Sequence, residues 1–62
     1  MGNEKITKLL MQCREMGMRS ADMTREVRNM EKYGKWSYFS LLGYTVDEMR
    51  EAAAIMRERE GI

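Results

Sequence analysis

The chain has 62 residues, one cysteine, eight methionines, no proline and no histidine, with a formal net charge of +1. A length of this order allows one domain, expected over 1–62, which buries only about 60% of the surface its unfolded form exposes. Cys13 has no second cysteine to pair with, and with one thiol and no histidine the usual zinc ligand sets cannot be built, so of the common staples of small folds self-association or a partner is favoured.

The composition, rich in Met, Leu, Arg, Glu and Lys, favours helix in every long window. The first helix is expected over about 3–16. Asn3 is its N-cap, and Glu4 and Lys8 form an i,i+4 pair. Ile6, Leu9, Leu10, Cys13 and Met16 share its apolar face, and Gly17 stops it. Met11 points away from that face.

The second helix is expected over about 21–33, with Ser20 as N-cap and Asp22 suited to the dipole of the first turn. Met23, Val27 and Met30 make its apolar stripe, and Gly34 ends it. Arg25, Arg28 and Lys32 recur at i, i+3 and i+7 opposite that stripe.

The third helix is short, about 36–42, and apolar on most sides, with Gly43 after it. Phe39 and Leu42 are expected to face inward, leaving Trp36 or Tyr38 at the surface.

The fourth helix, about 46–60, has the clearest start signal. Thr45 and Glu48 form a capping box, and Tyr44 packs on Met49 as a hydrophobic staple. Val46, Met49, Ala52, Ala53, Ile55 and Met56 form an apolar arc of about 160°. Gly61 follows its last turn. The fold class is therefore all-α: a compact bundle of three longer helices plus one short aromatic-rich helix.

Charge is unevenly spread. Residues 1–35 hold eight Lys or Arg against five Asp or Glu, and residues 36–62 hold three against five. Neither half has the strong positive field of a typical nucleic-acid binder. No stretch approaches the roughly 20 apolar residues of a membrane span, and the N-terminus lacks the apolar region of a signal peptide. Met1-Gly2 opens like a myristoylation signal, but Ile6 stands where Ser or Thr is required. A lone thiol among many methionines suits a reducing compartment, so the chain reads as cytoplasmic, without membrane partners.

Catalytic chemistry is missing from the sequence. No histidine is present to activate a serine or cysteine, Cys13 lies on an apolar face, and the separated glycines form no phosphate loop. The expectation is a non-enzyme, with no catalytic residues, cofactor or metal.

Binding is the remaining class. All five aromatic residues fall in one window: Tyr33, Trp36, Tyr38, Phe39 and Tyr44. This window is read both as a core plug and as an interface, because Trp and Tyr dominate binding hot spots. Tyr33, Trp36, Tyr38 and Tyr44 are the candidate partner-binding residues. Met11 and Met18, which fit no stripe, are weaker candidates for a dimer or partner contact. The leading expectation is a small protein–protein interaction module, an inhibitor or regulator of a larger protein. Its methionine-rich, proline-free helical style resembles that of small phage or mobile-element proteins.

The alternative is a small DNA-binding regulator. Its candidate residues are Arg19, Arg25, Arg28, Lys32 and Lys35, whose clustered charge suits phosphate. Leu41 to Glu48 also resembles the turn of a helix-turn-helix locally. The following helix, however, begins with acidic Asp47, Glu48 and Glu51, which repel phosphate, so the turn is read as an αα corner. A second alternative is a homo-oligomeric structural or assembly protein, a homodimer in its simplest form, joined along the arc of the fourth helix.

Overall fold

A computed structural model of the chain describes residues 4–61. Among these the fold is all-α, with four helices: α1 (Glu4–Glu15), α2 (Ser20–Tyr33), α3 (Tyr38–Leu41) and α4 (Val46–Arg59). The order and spacing follow the sequence expectation; the boundaries differ where side chains from elsewhere in the fold take over the helix ends. The expected cap Asn3 and the Met1-Gly2 start lie outside the described residues.

α4 is the central element, packed along α2 and against α1. Ala52 and Ala53 let the backbones approach, and Met49 and Met56 fill the space between. The core joins Leu9 and Cys13 of α1, Met23 and Val27 of α2, Phe39 of α3 and these four residues of α4. Each large side chain buried in this way contributes on the order of 1.5–3 kcal/mol. The apolar arc of α4 is thus mostly covered by its own chain, with Val46 and Ile55 half-buried. No helix among the described residues is long and apolar enough to cross a membrane.

The start of α4 is built as its sequence implies. The Glu48 N–H donates to Thr45 Oγ1 at 3.1 Å, and the Thr45 N–H donates to Glu48 Oε1 at 2.8 Å. Lys5 of α1 reinforces this end. Its Nζ donates to the Gly43 carbonyl at 2.9 Å and pairs with Glu48 Oε1 at 3.2 Å. The same ammonium lies 5.6 Å from the centre of the Tyr44 ring, which packs against the core.

The start of α2 corrects the sequence reading. Ser20 is the first helical residue, and Arg19 occupies the N-cap position. The reason is a carboxylate from the far end of the chain. The Ser20 N–H donates to Glu60 Oε2 at 2.8 Å, and its hydroxyl donates to Glu60 Oε1 at 2.6 Å. Ser20 is buried by this clasp. The Arg19 N–H in turn donates to Asp22 Oδ2 at 2.9 Å. A guanidinium has no acceptor, so only this half of a capping box can form. Glu60 therefore holds the C-terminal end of α4 against the N-terminus of α2.

Two methionines are also reassigned. α1 stops at Glu15, so Met16 sits in the turn and is exposed instead of sharing the core face. Met18, which fits no helical stripe, packs against the core because the Met18 N–H returns to the Cys13 carbonyl at 2.9 Å.

Candidate interaction surface

The corner between α2 and α3 is set by two local devices. Gly34 ends α2 with φ of 64°, in the left-handed region that glycine enters without the cost a side chain imposes. The Gly34 N–H donates to the Met30 carbonyl and the Lys35 N–H to that of Asn29, turning the chain off the helix axis.

Ser37 is the second device. It is buried, and its hydroxyl donates to Glu26 Oε1 on α2 at 2.7 Å while accepting from the Phe39 N–H at 3.2 Å. Ser40 completes the cap, with the Ser37 N–H donating to Ser40 Oγ at 3.1 Å. Ser37 is therefore the N-cap of α3, and the helix begins at Tyr38, two residues later than expected. Its backbone is extended, with φ −107° and ψ 151°. Side chains alternate across an extended residue, so anchoring Ser37 inward turns Trp36 and Tyr38 outward.

The result is an apolar outer face. Phe39 is 1% exposed and holds α3 to the core, as expected. Tyr38, Leu41 and Leu42 stand at i, i+3 and i+4 and share the outer side of that turn, away from the core. Trp36 is 80% exposed and Leu41 71%, while Tyr33, Tyr38 and Leu42 are about half exposed. Leu42 thus corrects the expectation that it would face the core. A one-turn helix can present only one large side chain to the interior, and Phe39 takes that place. The Tyr33 ring lies beneath two ammonium groups, Lys32 Nζ at 5.6 Å and Lys35 Nζ at 5.9 Å from its centre, which gives the surface a basic edge.

Of the four candidate partner-binding residues, Tyr33, Trp36 and Tyr38 are all exposed on the segment that joins α2 to α3. Tyr44 does not join them: it is half-buried beside Lys5, at the α3–α4 turn. Leu41 and Leu42, which the sequence reading left out, belong to the surface. Their i+3 and i+4 spacing from Tyr38 is the signal that identifies them.

The basic residues are arranged differently. Arg25, Arg28 and Lys32 are exposed along α2, with Arg19 and Lys35 just beyond its two ends. Arg28 and Lys32 border a shallow groove between α2 and α4. In the same groove Arg50 pairs with Glu31, and its Nη1 lies 3.2 Å from Asp47 Oδ1. Among the described residues, the acids of this groove are thus engaged by Arg50 and not by the residues of the stripe. Cys13 lies in the core, where burial pushes its thiol pKa up and keeps it protonated.

Comparison with protein-family models, with curated protein sequences and with solved structures gives no match to this chain.

Proposed function

We propose that this chain is a small protein-interaction module, a regulator or inhibitor of a larger protein, that docks through the α2–α3 corner. The observation that carries the reading is the exposure of Trp36, Tyr38, Leu41 and Leu42 within one seven-residue segment. Their exposed portions, with that of Tyr33, come to roughly 600 Å², taking about 150–250 Å² for an aromatic side chain and the low end of that range for leucine. A typical monomer's largest apolar patch is about 300–600 Å², and a standard interface takes about 800 Å² from each partner. The corner thus supplies most of one side of an ordinary interface from ten consecutive residues.

The geometry also favours a hot spot. Trp36 projects from a loop whose ends are fixed by the Gly34 turn and the Ser37 anchor, so little ordering entropy opposes its insertion into a pocket. The matching partner has an apolar cleft for the indole and an acidic edge facing Lys32 and Lys35. Nucleic-acid binding through Arg25, Arg28 and Lys32 is the alternative reading; Glu26 and Glu31 on the same helix interleave acidic charge with that stripe.

A photo-crosslinking amino acid substituted for Trp36, and separately for Arg25, tests the proposal in the cell that makes the protein. Position 36 is expected to yield a discrete cross-linked protein that position 25 does not. That protein, purified, is expected to bind the wild-type chain and to lose at least about 30-fold in affinity for W36A. Cross-links from position 25 alone, or a salt-sensitive gel shift with duplex DNA, would instead favour the basic stripe.

A further inference from the structure

A second surface lies at the other end of α2, formed by α1, the Gly17–Arg19 turn and the last turn of α4. Its floor is apolar and rich in methionine: Leu10 and Met11 of α1, Met18 of the turn, and Met56 of α4. Together these line an open groove of about 510 Å³. Thr7, Leu10, Met11 and Arg14 stand at i, i+3, i+4 and i+7, a face of α1 distinct from the Leu9 and Cys13 stripe that enters the core. Met11 is 57% exposed on this face.

The rim is positive. Arg14, Arg19 and Arg59 border the groove and are exposed. Arg14 and Arg59 take part in no ion pair among the described residues. The one acid at the edge, Glu60, is already engaged by the Ser20 N–H and hydroxyl, with Arg19 nearby. An apolar valley between two helices, flanked by cations on both sides, has the complementary form of an amphipathic helix with acidic flanks. The floor suits it, because methionine side chains repack around differing apolar anchors. The α1 residues that line the valley run from Thr7 to Arg14, roughly 12 Å at 1.5 Å per residue, enough for about two helical turns.

We infer that the α1–α4 groove is a second docking site, and that its occupant is an acidic amphipathic helix that seats about two turns in it. The two surfaces share no residue. They lie at opposite ends of the 14-residue α2, roughly 20 Å apart, so both can be filled at once. The chain would then bridge two partners instead of capping one.

The probes are two fluorescently labelled 14-residue helical peptides with one apolar stripe of leucines, flanked by glutamates in one and lysines in the other. Fluorescence anisotropy is expected to show the glutamate peptide binding at least tenfold more tightly. The double variant R14E/R59E, whose positions are exposed, is expected to lower that affinity by about tenfold or more, since each reversal turns an attraction into a repulsion. M11E is expected to weaken it comparably, and W36A to leave it unchanged, which separates this site from the α2–α3 corner. Equal binding of both peptides, binding of neither, or indifference to R14E/R59E overturns the inference. So does sedimentation showing a homodimer that R14E/R59E dissociates, because the groove would then hold a second copy of the chain.

Discussion

Trp36→Ala and Phe39→Ala are opposite perturbations within one short segment. Trp36 is 80% exposed, so the fold covers only about 50 Å² of its indole, worth about 1 kcal/mol at 25 cal/mol per Å². In a domain of this size 1 kcal/mol moves Tm by roughly 4–8 °C. Phe39 is 1% exposed, and its truncation leaves a cavity costing about 3–5 kcal/mol. At roughly 0.05–0.15 kcal/mol per residue, the whole fold is worth only about 3–9 kcal/mol, so F39A removes much or all of it. Thermal unfolding followed by far-UV circular dichroism, run on both variants, reads this directly. W36A is expected to melt cooperatively no more than about 4–8 °C below wild type, and F39A to melt far lower or to be unfolded at 25 °C. A W36A protein as destabilised as F39A would refute the assignment of Trp36 to the surface, and with it the docking face.

Three further outcomes follow from the same geometry. The clasp of Ser20 lowers the Glu60 pKa, chiefly through the Ser20 hydroxyl and then its N–H, and the Thr45 N–H lowers that of Glu48. Depressed carboxylates contribute stability that is present above the ordinary value of about 4.5 and lost as pH falls through the folded value. Tm is therefore expected to drop below pH 4.5, with a shallower acid limb in E60Q; identical acid limbs in the two proteins would contradict the clasp. Gly34→Ala forces a side chain into the left-handed region and is expected to cost about 1–2 kcal/mol by denaturant titration. Cys13 is buried with its thiol held protonated, so an alkylating reagent is expected to label it at the rate of unfolding, whereas rapid labelling of the native protein would contradict its placement.

Much of this fold is legible in local sequence because its signals are local. Thr45 and Glu48 lie three residues apart and cap α4 as their spacing implies. Gly17 and Gly34 turn the chain where the apolar periodicities stop, and Met23, Val27, Met49 and Met56 reach the core from regular stripes. The misreadings arise where distant parts of the chain meet. Glu60 displaces Ser20 from its expected capping role across forty residues, and no pattern around Ser20 announces it. Glu26 draws Ser37 inward from eleven residues away, which delays α3 and leaves Trp36 outside the helix. Leu42 belongs to the core only if the third helix is long; in a single turn, Phe39 alone points inward. The α2–α3 corner was half visible as an aromatic cluster. Its division into a buried Phe39 and an exposed Trp36 depends on that single serine anchor.

Trp36 is the only tryptophan in the chain, so its fluorescence reports the corner without labels. In the free protein the indole is expected to emit at the long-wavelength, hydrated limit and to be quenched readily by acrylamide. When the partner captured through position 36 is added in a tryptophan-free form, the emission is expected to shift to the blue and become protected from acrylamide. Emission and quenching that stay unchanged in the complex would contradict the claim that this corner is the docking face.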